Sequence, residues 1–72
     1  MPSHPPVIVH PPSPGGGRRV TVRGRIAGLA HGRGDLAGLL RTELGLRAEV
    51  IDLQDPSVIE WRGGGAETWP RP

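Results

Sequence analysis

From Arg18 to Ile26 the chain alternates: Val20, Val22, Gly24 and Ile26 stand on one parity, and Arg19, Thr21, Arg23 and Arg25 on the other. Side chains alternate faces along a strand, so the pattern predicts one half-buried strand with a basic outer face. Gly28, Gly32 and Gly34 then interrupt it and predict a loop. Asp35 is the expected helix N-cap, its carboxylate accepting from the free amides of the first turn and facing the positive end of the helix dipole. Leu36, Leu39, Leu40 and Leu44 recur at spacings of three and four, which puts them on one side of that helix. Gly45 supplies the expected left-handed end, with Leu46 placed to fold back onto Leu40. Gly38 inside so short a helix costs about 1 kcal/mol relative to alanine. The helix therefore needs a sheet to lie on.

Beyond it, Arg47–Leu53 is β-branched in its middle and predicts a second strand. Gln54–Ser57 reads as a turn, and Val58–Arg62 as a third strand ended by Gly63-Gly64-Gly65. Asp55-Pro56 also suits the start of a single helical turn. Near the N-terminus, Val7-Ile8-Val9 lies between prolines, which lack an amide donor, so a strand there is expected only at a sheet edge. The sum is an α+β fold, (β)βαββ, with a three- or four-stranded sheet and one short helix on one face. Were Arg18–Ile26 and Arg47–Leu53 parallel neighbours, their crossover would be right-handed. The expected organisation is a Pro/Gly-rich arm over 1–17, one domain over 18–62 and a flexible tail over 63–72. Trp69 is the tail's one ordering feature, placed to pack back over the core.

Seventy-two residues make at most one domain. A core of this size rarely supplies more than about 3–5 kcal/mol without a disulfide, a metal or a partner subunit. With no cysteine, disulfides and thiolate zinc sites are excluded, which points to a homodimer. Nine arginines and no lysine stand against seven acids, a net charge of +2, so the basic character is arginine chemistry rather than a large charge excess. No apolar run approaches the ~18 residues of a membrane span, and the proline-rich N-terminus lacks the pattern of a signal peptide. A cytoplasmic protein without membrane association is the expectation.

Several motifs invite chemistry. Gly32-Arg33-Gly34 with Gly38, and Asp52 further on, resembles a dinucleotide fingerprint. Against it, Ala27–His31 separates the motif from the strand, Asp35 would repel a phosphate, and the chain is too short for two mononucleotide halves. A connector is the simpler reading, and no cofactor is expected. Arg33-Gly34-Asp35 spells an integrin tripeptide, but Asp35 is already explained as a cap. Pro11-Pro12-Ser13-Pro14 fits a bare PxxP pattern and reads more simply as a solubilising arm. After loss of Met1, Pro2-Ser3-His4 would offer a square-planar nitrogen set for Cu(II) or Ni(II), a spacing chance readily supplies.

Catalysis is poorly supplied, because cysteine, lysine and tyrosine are absent. His31 is the one histidine inside the expected domain, and no serine is placed to pair with it. Glu49, Asp52, Asp55 and Glu60 are better suited to pairing with Arg23, Arg25 and Arg47 across strands, at about 0.2–1 kcal/mol each. No catalytic residue and no metal site are assigned.

Arg19, Arg23 and Arg25 would span about 20 Å of one strand face at ~3.3 Å per residue. Their planar forks suit phosphates. Without phenylalanine or tyrosine for base stacking, such a face would contact only a nucleic-acid backbone, with strong salt dependence. Val58, Ile59 and Trp61 are the expected protein interface, since aromatic residues are enriched at interface cores, the alternative being that Trp61 belongs to the monomer core.

Val7-Ile8-Val9-His10-Pro11-Pro12, Gly16-Gly17-Arg18-Arg19-Val20 and Glu60-Trp61-Arg62-Gly63-Gly64-Gly65, with arginine replacing all lysine, resemble short uncharacterised proteins of high-GC actinobacteria. The resemblance implies provenance and supports the cytoplasmic expectation, with no activity, fold or site attached. The functional expectation is a small non-enzymatic binding protein that self-associates, the alternative being a nucleic-acid-associated protein acting through Arg19, Arg23 and Arg25.

Overall fold

A computed structural model describes residues 5–45 and 52–70. Strands β1 (Val7–Pro12), β2 (Arg18–Val22) and β3 (Arg25–Ala30) are followed by helix α1 (Arg33–Leu44) and strand β4 (Ile59–Trp61). They form a four-stranded mixed sheet in the order β3-β2-β1-β4 with the helix against one face, a small α+β fold. β1–β2 and β2–β3 are antiparallel, and β4 runs parallel to β1.

The expected single strand Arg18–Ile26 is a hairpin. Arg23 (φ 52°) and Gly24 (φ 82°) both take left-handed backbone, and Val22 pairs with Arg25 across them. A two-residue loop with two positive φ values matches the right-handed twist of the flanking strands. The alternation misled because the apolar spacing runs unbroken through the turn in sequence, whereas a two-residue turn sets Arg25 level with Val22 and so moves Ile26 to the face opposite Val22. The same reversal overturns the loop expected from Gly28, since Ala27–Ala30 continues β3. Ala27 is an extra residue between the pairs Thr21–Ile26 and Val20–Gly28, a β-bulge.

The three valine and isoleucine positions near the N-terminus also fare differently from expectation. β1 is an interior strand, flanked by β2 and β4, and not an edge. Proline tolerates this because β4 ends where Trp61 pairs with Val9, so Pro11 and Pro12 lie past the last position that must donate to it. The arm set apart in the sequence thus supplies Val7 and Val9, fully buried, to the core.

α1 begins at Arg33 with Gly32 as its N-cap, three residues before the expected cap. Asp35 is not the cap. Its carboxylate instead reaches back to accept the His31 amide at 2.9 Å, tying the loop to the first turn. Gly45, at φ 68°, ends the helix as expected. Leu36 and Leu40 are fully buried with Val7, Val9, Val20, Val22, Ala30 and Ile59, while Leu39 and Leu44 pack at the margin. Ile26 is not in this core; it is 67% exposed. Leu46 and most of the strand expected over Arg47–Leu53 lie outside the described residues, and Asp52 and Leu53 are in a turn. Asp55 accepts the amide and hydroxyl of Ser57, and its carbonyl accepts the amides of Val58 and Ile59, so a helix-like turn leads directly into β4.

Candidate functional site

The least expected feature is Arg18, the first residue of β2 and fully buried. Its guanidinium has five N–H donors and uses them on five carbonyls. Nε donates to His10 at 2.9 Å, one terminal nitrogen to Gly65 and Thr68 at 3.0 Å, and the other to Arg62 at 2.7 Å and Gly64 at 2.9 Å. The charged centre lies 5.3 Å from the Trp61 ring and 5.7 Å from the Trp69 ring. The two rings meet edge to face at 6.0 Å. A cation prefers the negative faces of such rings. Burial lowers the Arg18 pKa from its ordinary value, as expected for a desolvated cation.

Gly63-Gly64-Gly65 makes this cage possible. Gly63 has φ 76° and Gly64 φ 128°, and a Cβ added at either would stand 2.8 Å from Pro11 or 2.9 Å from Thr68. Only glycine bends the chain tightly enough to aim successive carbonyls at one guanidinium. Residues 63–70, expected as a flexible tail, are therefore folded over Arg18, with Trp69 donating to the Ala66 carbonyl. All five donors are consumed internally, so Arg18 is a structural anchor with no capacity left for a ligand.

Among the described residues no helix or second sheet covers the face of the sheet away from α1. Strand register places Ile8, Thr21 and Ile26 in one row, with Arg19 and Leu29 in the next. Among the described residues Ile26 and Leu29 are the two large hydrophobic residues most exposed to solvent, at 67% and 52%, and both stand on β3. Among the described residues no strand pairs with the outer side of β3. On the same face His10 Nε2 lies 3.2 Å from the Thr21 hydroxyl. Partial burial, with the positive charges of Arg19 and Arg62, holds His10 below its ordinary pKa, and Glu60 opposes the shift. Arg62 pairs with Glu60 at this end of the sheet.

The arginines assigned to nucleic acid are not collinear. All three are exposed, but Arg19 stands on β2 level with Leu29 on the open face, Arg23 in the turn, and Arg25 on β3 level with Val22 on the helix face. Among the described residues none of the three pairs with a carboxylate, whereas Arg33 pairs with Glu67 at 3.0 Å. Of the residues assigned to a protein interface, Ile59 is core at 2% exposure. Val58 and Trp61 pack against that core, and Trp61 Nε1 donates to the Leu53 carbonyl. This group holds the fold together and offers little free surface. His31 stacks over Gly17 and lies 3.7 Å from Asp35. Ile26 and Leu29 were missed as surface residues because the hairpin was missed. The Arg23-Gly24 dipeptide was the available signal.

The amino-terminal residues through His4 lie outside the described residues. Among the described residues no group of three or more potential metal ligands converges, and no helix is long and apolar enough to cross a membrane. The arrangement defines a class: a small α+β module in which, among the described residues, no strand pairs with the outer side of either edge strand, β3 or β4. No family model, curated protein or solved structure matches the chain.

Proposed function

We propose that the protein is a non-enzymatic interaction module that self-associates through β3 and the open sheet face. The carrying observation is that, among the described residues, both large and strongly exposed hydrophobic residues, Ile26 and Leu29, stand on one strand with no partner on its outer edge. Such an edge is a template for another chain, and proteins usually blunt it with charge or cover it. Here Arg25 alone supplies charge within the strand. This surface replaces Val58, Ile59 and Trp61 as the seat of association. Sedimentation of the wild type should show a species heavier than the 7.6 kDa chain, and Ile26→Lys with Leu29→Lys should return it to monomer. A wild type that stays monomeric at millimolar concentration refutes the reading.

That Arg19, Arg23 and Arg25 pair with no carboxylate among the described residues favours a second reading, contact with a nucleic-acid backbone. Titration with a short duplex and a single strand would then shift amides of the hairpin, less at higher salt. Replacing the three arginines with glutamine would abolish the effect without changing association.

A further inference from the structure

We infer that the associated form is a closed two-fold dimer, in which β3 pairs antiparallel with β3 of a second copy and Ile26 stands opposite Leu29 of that copy. The inference rests on the self-association reading above and specifies its partner and geometry.

The bulge is the first argument. Antiparallel strands related by a two-fold axis through the sheet must pair positions that share a face. In a regular strand Ile26 and Leu29, three apart, would face opposite ways. The extra residue at Ala27 breaks the alternation, so Ile26 is level with Thr21 and Leu29 with Arg19, both on the open face. Arg25 and Ala30, level with Val22 and Arg18, share the helix face. A two-fold between Ala27 and Gly28 thus joins Ile26 to Leu29 of the other copy twice, and Arg25 to Ala30 twice, without a facial mismatch.

Backbone direction agrees. Across a two-residue hairpin loop the flanking residues, Val22 and Arg25, form the hydrogen-bonded pair. The next pair, Thr21 and Ile26, is of the non-bonded kind, so the Ile26 amide and carbonyl point away from β2 toward the open edge.

Charge sets the orientation. Arg25 puts a cation at one end of β3, and the Asp35 carboxylate, held by the His31 amide, puts an anion just beyond the other end. Antiparallel pairing brings each Arg25 level with Ala30 of the second copy and beside its Asp35. Parallel pairing would set Arg25 against Arg25. Because each copy uses the same edge, the assembly closes at two and joins the four-stranded sheets into one of eight strands.

The cysteine-free chain allows a clean test. Variants I26C and L29C change exposed positions, and directly opposed strand residues lie within disulfide reach. Under mild oxidation a mixture of the two should give a covalent dimer, while each alone should not, since like positions are offset by three residues along the strand. Cross-linking of I26C alone as fast as the mixture overturns the register. A wild type that sediments as a dimer, with no cross-link in the mixture, overturns β3 pairing and leaves self-association standing. A wild type that stays monomeric at millimolar concentration overturns both.

Discussion

Arg18→Gln removes the charge and most of the donors from a site that is completely desolvated and lined by five carbonyls. A hydrogen bond to a charged group contributes about 1.5–3 kcal/mol, and five cannot be summed because they act as one unit. Breaking a buried charged network typically costs about 3–5 kcal/mol. A domain of this size holds about the same amount in total. The variant should therefore lose its folded baseline in water or keep the sheet while releasing residues 62–70. Arg18→Lys keeps the charge but has three donors for five acceptors. At about 1 kcal/mol for each carbonyl left without its donor, it should be about 2 kcal/mol less stable than wild type. Trp61 and Trp69 are the only tryptophans and both face the guanidinium, so urea unfolding followed by fluorescence reads the cage directly. A Gln variant with an unchanged urea midpoint would refute the assignment of Arg18 as the anchor.

Three further outcomes follow from the same geometry. Arg23 occupies left-handed backbone at a cost of about 1–2 kcal/mol, which asparagine relieves in part, so Arg23→Asn should raise the thermal midpoint in calorimetry. Gly64→Ala meets both positive φ and the Thr68 side chain, and should lower stability by about 1–3 kcal/mol in the same urea assay. His10 sits below its ordinary pKa of 6.5 in the folded protein. As pH falls through that value the unfolded chain takes up the proton first, so the His10 contribution is intact above it and lost as pH descends through the lower, folded value. His10→Gln should flatten the part of a stability–pH profile just below 6.5. An unchanged profile would remove desolvation and the Arg19 and Arg62 charges as its cause.

What was legible in the sequence was what local pattern controls. The leucine spacing gave the helix face, Gly45 its end, and Val58–Arg62 contained β4. What escaped needed contacts far apart in sequence. Nothing local distinguishes Arg18 from Arg19, yet one is buried by carbonyls some 44 to 50 residues away and the other is exposed. The alternation through Arg23-Gly24 concealed a hairpin because arginine is an uncommon first residue for such a turn. The prolines around Val7–Val9 suggested an edge, and only the length of β4 shows why an interior place is allowed. The same hidden hairpin moved the candidate site, splitting the arginine row and bringing Ile26 and Leu29 to one open edge.

The central claim is that β3 is where the chain meets its own copy. The most direct measurement is a dilution series of amide spectra from millimolar to micromolar protein. Concentration-dependent shifts should be confined to Thr21, residues 25–30 and the neighbouring His31 and Asp35. Shifts centred instead on Val58–Trp61 or the exposed face of α1, or spectra unchanged across the series, would contradict the claim.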